Sequence, residues 1–129
     1  MLGYATIGTN DLKRAQAFYD TLLAEVGAKR LMETPHGFTM YGVTLRKPAL
    51  AITPPYDGKK ATPGNGNMLA LTLDARAKVD AFYKKALELG GSDEGAPGLR
   101  GEEGPSAFYA AYFRDPEGNK LCVYRVGPE

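Results

Sequence analysis

Few side chains in this chain can do chemistry at neutral pH. His36 is the sole histidine, set between Pro35 and Gly37. Histidine titrates near neutrality, so it is a candidate general base or metal ligand. Acid–base work needs a positioned partner, however, and a lone histidine between turn-forming residues reads more simply as exposed. Cys122 is the only cysteine. It could present a reactive thiol, but no cation is obviously beside it to lower its pKa, and a lone cysteine packs equally well as a small buried hydrophobe. Glu102 and Glu103 adjoin in a glycine-rich stretch, where they could serve as acid–base groups or bind a cation; the plainer reading is two solvated carboxylates. The remaining material is aromatic and thioether: Tyr4, Tyr41, Met68, Phe108, Tyr109, Tyr112 and Tyr124. Part of that set must build core, as aromatic residues in strands do.

The elements that would position these groups are written twice. Ala17-Phe18-Tyr19 returns as Ala81-Phe82-Tyr83, 64 residues later. Each copy follows a short apolar run containing Thr, begins near an acidic residue and ends at glycine, Gly27 in one case and Gly90-Gly91 in the other. A fixed-period repeat signals one structural unit used more than once. Residues 3–9 read as a strand. Asn10 or Asp11 then caps a helix whose apolar face is Leu12, Ala15, Phe18, Tyr19, Leu22, Leu23 and Val26. Strands are expected at 29–33, 38–45 and 49–53, with turns at Gly37 and Lys47-Pro48.

Residues 54–67, rich in Pro, Gly and polar groups, read as a linker. In the second copy a strand at 68–73 leads to a helix capped by Asp74, with Val79, Phe82, Tyr83, Ala86 and Leu87 inward. A long loop over 92–104 should follow, then strands at 106–114 and 120–126 joined by Asp115-Pro116-Glu117-Gly118-Asn119, strong turn chemistry. The expected organisation is one domain over 1–129, with modules 1–53 and 68–129.

Composition narrows the function classes. The chain has 129 residues, 43% hydrophobic and 24% charged, with a formal net charge of +1. Its Lys and Arg residues are scattered, which argues against a nucleic-acid footprint. No run approaches the roughly 18 apolar residues of a membrane span, and no signal peptide is visible at the N-terminus. The lone Cys122 excludes an internal disulfide and fits a reducing compartment, so a cytoplasmic location is expected.

Paired βαβββ modules with Phe113-Arg114-Asp115-Pro116-Glu117-Gly118-Asn119 near the end resemble the vicinal oxygen chelate superfamily, which contains glyoxalase I, extradiol dioxygenases and bleomycin-resistance proteins. The Asn10-Asp11-Leu12 start, both Ala-Phe-Tyr helices and Gly95-Ala96-Pro97-Gly98-Leu99-Arg100 carry the same resemblance across the chain. It implies an α+β fold in which two modules form a half-open curled sheet around a cleft. Metal-using members place His on the first strand of module one, His or Gln on its mate in module two, and Glu on the last strand of each.

Here those positions carry Tyr4, Met68, Cys122 and Ala51, or Thr53 if the strand register slips. None reproduces the motif, so no metal site and no metal cofactor are expected. On this reading Tyr4, Met68, Cys122, Ala51, Tyr109 and Tyr124 line a cleft suited to an apolar or aromatic small molecule. The resemblance also implies a homodimer. Two functions stay open. One is a binding module like the bleomycin-resistance branch. The other is a lyase or dioxygenase-type enzyme, either with atypical metal ligands or with Tyr4, Cys122 and the loop glutamates acting without metal.

Overall fold

Asp11 ends the first extended run and starts a helix with its own carboxylate, which accepts the Arg14 backbone N–H at 3.1 Å. In the computed structural model, which describes residues 1–129, that helix is α1 (Leu12–Ala24). It buries Ala15, Phe18, Tyr19, Leu22 and Leu23, the 3.6-residue stripe expected of one core-facing side. Around it lie β1 (Tyr4–Gly8), β2 (Lys29–Glu33), β3 (Thr39–Gly42) and β4 (Ala49–Thr53). They form one four-stranded mixed sheet in the order β1-β4-β3-β2, with β1 parallel to β4 and the other pairs antiparallel.

The second copy folds on the same plan. β5 (Leu69–Thr72), α2 (Arg76–Glu88), β6 (Ser92–Leu99), β7 (Phe108–Arg114) and β8 (Lys120–Val126) give a sheet in the order β5-β8-β7-β6. The fold is α+β, with two unclosed mixed sheets each carrying one helix. The chain divides into two compact units, Met1–Gly64 and Asn65–Glu129. Part of the stretch read as linker is fixed to the first unit. Asn10 donates to the Ala61 carbonyl at 3.0 Å and accepts the Ala61 N–H at 2.7 Å, and the Ala61 methyl packs over Gly8.

Two local expectations change. Asp74 does not cap α2; the N-cap is Ala75, which has no side-chain cap bond, and Asp74 instead pairs with Lys78 at 2.7 Å. That ion pair satisfies the carboxylate one turn along and leaves the helix N–H groups to other partners, Arg76 N–H reaching Glu129. The stretch expected as a loop over 92–104 contains β6. Its register against β7 shifts between Asp93 and Gly95 and again between Gly95 and Gly98. Such bulges let Gly and Pro sit in an edge strand and erase its period-two alternation. No helix is long and apolar enough to cross a membrane.

Candidate functional site

Each sheet has one face under its helix and one face free of it, and strand register sorts the candidate residues between the two. In the first unit Tyr41 points to α1, donating its phenol to Asp20 Oδ1 at 2.8 Å. Leu50 is its cross-strand partner, whereas Met40 pairs with Ala51. Since alternate residues face opposite ways, Ala51 and Met40 lie on the helix-free side. Tyr4 joins them, because it pairs with Ala49, two residues from Ala51. Tyr4 is 53% exposed and meets Phe38 edge-on at 5.8 Å, while Ala51 is 0% exposed.

In the second unit Cys122 pairs with both Ala70 and Tyr112, and Tyr124 pairs with Ala110, so these residues share one face. Phe108 belongs with them; its ring stacks on Tyr124 with centroids 5.2 Å apart. Met68 precedes β5 by one residue and is 42% exposed. Tyr109 leaves the set. Its cross-strand partner is Arg125, and its phenol donates to Asp80 of α2 at 2.6 Å, with the Arg76 guanidinium 5.2 Å from the ring centroid. A tyrosine next in sequence to Phe108 and Ala110 must face the opposite way, and α2 supplies the partner for its hydroxyl. The helix side also takes Phe113 against Phe82.

Strand alternation alone did not bring out the groups around Cys122. The Arg100 guanidinium lies 5.4 Å from the Tyr112 ring centroid and Lys120 Nζ lies 5.7 Å from it. Lys120 was legible in principle, two residues before Cys122 on the same strand face. Arg100 was not, since it lies beyond a strand that sequence did not reveal. Its path depends on two glycines. A Cβ on Gly98 would come within 3.3 Å of the guanidinium, and one on Gly95 within 3.2 Å of it and 3.1 Å of the Tyr112 ring. The guanidinium donates to the Gly98 and Ala96 carbonyls at 2.9 and 2.8 Å, which pins it over β6.

Cys122 itself is 1% exposed. Burial pushes its thiol pKa up; the neighbouring Tyr112 phenol and the charges of Arg100 and Lys120 pull the other way but do not win. Burial and the Cys122 partner also raise the Tyr112 phenol. Neither group is primed as a nucleophile or base near neutral pH. Glu103 is held by both terminal nitrogens of Arg76, and that pairing keeps its pKa low. Glu102 stays in solvent, and His36 is exposed in the β2–β3 turn.

The residues at the family's ligand positions do not fit a divalent ion. Ala51 has no donor, Met68 and Cys122 are soft sulfur groups, and the Cys122 thiol is held protonated by burial. No group of three or more His, Cys, Asp and Glu side chains is placed to hold a metal.

The sequence model for the Glyoxalase/Bleomycin resistance protein/Dioxygenase superfamily matches residues 1–123. Among solved structures, the chain is similar to a glyoxalase/bleomycin resistance protein from Albidiferax ferrireducens T118, at 32% identity and a TM-score of 0.84, covering 97% of this chain and 98% of that one. It is also similar in fold to a family enzyme from Burkholderia phytofirmans PsJN, at 21% identity, TM-score 0.72, with 96% and 97% of the two chains covered. A lactoylglutathione lyase from Agrobacterium tumefaciens shares the fold at 20% identity, TM-score 0.64, over 97% and 92% of the chains. No curated protein sequence gives a significant match.

Proposed function

The chain belongs to the glyoxalase/bleomycin resistance protein/dioxygenase superfamily, and from that premise we propose that it binds an apolar or aromatic small molecule without a metal. The observation that carries this reading is the make-up of the second unit's helix-free face. Half-buried Tyr112, Tyr124 and Phe108 stand there over the small side chains Cys122 and Ala110, where metal-using relatives would need a carboxylate. Flat aromatic side chains lose little conformational freedom on binding and offer large contact area to a ring-bearing ligand. The lyase activity named for the Agrobacterium protein is that protein's own; at 20% identity the likeness speaks for the fold alone.

Met68, with substantial exposed area, extends the ligand-contacting set of the second unit in this reading, with buried Cys122 beneath it; in the first unit exposed Tyr4 and buried Ala51 share the helix-free face. The protein works as a homodimer in a reducing, cytoplasmic setting, which suits a single free cysteine.

Elemental analysis of protein purified without a chelating tag or added metal tests the proposal. The expected result is background metal only, together with binding of aromatic fragments detected by NMR. Near-stoichiometric Zn, Ni, Mn or Fe would overturn it.

A further inference from the structure

We infer that the helix-free face of the second unit selects an anionic aromatic ligand, with a carboxylate or sulfonate held between Arg100 and Lys120 and its ring against Tyr112, Tyr124 and Phe108. The inference rests on the small-molecule reading above and adds the charge of the ligand to it.

Arg30, Arg76 and Arg114 each neutralise a carboxylate, Asp20, Glu103 and Glu94 respectively. Arg100 and Lys120 pair with none. They nonetheless converge on the same ring, at 5.4 and 5.7 Å from the Tyr112 centroid. Neither charge is neutralised by a carboxylate, so an anion against that ring is attracted by both. The surrounding carboxylates do not supply it. Glu94 is taken by Arg114, Glu103 by Arg76, and Asp93 accepts the Tyr83 hydroxyl of α2, on the opposite face.

Arg100 is exposed, yet its guanidinium is held by two backbone carbonyls and lies close over Gly95 and Gly98, where an added Cβ would press on it. The remaining N–H donors are therefore aimed before any ligand arrives, which cuts the ordering cost of binding. Lys120 comes from β8 and Arg100 from beyond β6, the two strands flanking the β7 strand that carries Tyr112. Along β7 and β8 the stacked Phe108–Tyr124 pair lies roughly 13 Å from the cations at about 3.3 Å per residue, a span matched by a fused-ring acid.

The test is a pair of ¹H–¹⁵N NMR titrations with 2-naphthoate and its neutral isostere 2-naphthamide, repeated with inorganic sulfate and with the variants Arg100→Gln and Lys120→Gln. The same spectra report whether each variant is folded. Expected are shifts confined to Gly95–Arg100, Phe108–Tyr112 and Lys120–Tyr124, at least about tenfold tighter binding of naphthoate than naphthamide, and loss of that preference in both variants. Arg100→Lys, which keeps the charge without the planar fork, should lose part of it. Equal binding of the two naphthalenes at these residues would overturn the charge inference and leave the small-molecule reading standing. No shift on this face from either probe would overturn both. Sulfate binding as tightly as naphthoate would overturn the aromatic half of the inference.

Discussion

Among the side chains that sequence alone singles out, Cys122 ends up shielded and Tyr41 satisfied, and both are testable. Cys122 is buried and its thiol is pushed toward the protonated form by desolvation. Alkylation by iodoacetamide at pH 8 should therefore be at least about tenfold slower in the folded protein than in urea. Mass spectrometry reads the rates; equal rates would mean the thiol is open. Tyr41 is the second case, and its acceptor is Asp20. That carboxylate accepts from Arg30 in a bidentate pair at 2.8 and 2.7 Å and from the buried Tyr41 hydroxyl, and the Arg30 bond foremost holds its pKa below the usual carboxylate value. A depressed pKa stabilises the fold above the unfolded value near about 3.9, and that stabilisation is lost as pH falls through the lower folded value. Asp20→Asn should then cost about 1–2 kcal/mol at pH 7, mostly from the Tyr41 hydroxyl losing a charged acceptor, because the Arg30 pair is one-third exposed and screened. Urea melts should show that deficit shrinking toward pH 2.5. What sequence could not show was which residue sits beside which. Alternation puts Cys122 on one face with Tyr112, but Arg100 reaches its vicinity only through a bulged strand, and Tyr109 faces α2 because one residue of register reverses a side chain.

At the scale of elements, the helices were legible because their signals are local: a cap at Asp11, a 3.6-residue stripe and glycine just past each end. β6 was not legible, since Gly95, Pro97 and Gly98 read as breakers and its pairing is decided by β7, a partner distant in sequence. The glycines after α2 combine both kinds of information. Gly90 takes a φ of +105°, a local requirement. Gly91 does not; a Cβ there would sit 2.8 Å from the carbonyl oxygens of both Ala86 and Arg114, so α2 and β7 meet at this residue with no room for a methyl. Backbone atoms on both sides cannot swing aside as a side chain would. Gly91→Ala is thus expected to cost about 2–3 kcal/mol by overpacking, against about 1 kcal/mol for Gly90→Ala by strain alone. Thermal unfolding of the two variants side by side checks the order; a milder Gly91→Ala would mean that α2 can lift off β7.

The whole molecule repeats one plan but protects its edges unequally. The sheet orders leave β1 and β2 as edges of the first unit and β5 and β6 as edges of the second. β2 carries Lys29, Arg30 and Glu33 and a register shift, and β6 carries Asp93, Glu94, Pro97 and two shifts. Charge, proline and bulges are the devices that keep an edge from recruiting another chain. β1 and β5 have none of them: Tyr-Ala-Thr-Ile-Gly and Leu-Ala-Leu-Thr contain no charge, no proline and no bulge in their pairing with β4 and β8. Such strands need cover, and closed two-fold assembly is the commonest way a chain of this size provides it. Light scattering on the purified protein at tens of micromolar should accordingly give twice the 13.9 kDa chain mass. Thr6→Lys combined with Ala70→Lys, both at exposed positions on the unprotected strands, should move that mass toward the monomer while each unit keeps its helix content by circular dichroism. A wild-type mass of one chain would mean that these edges are covered without a second copy.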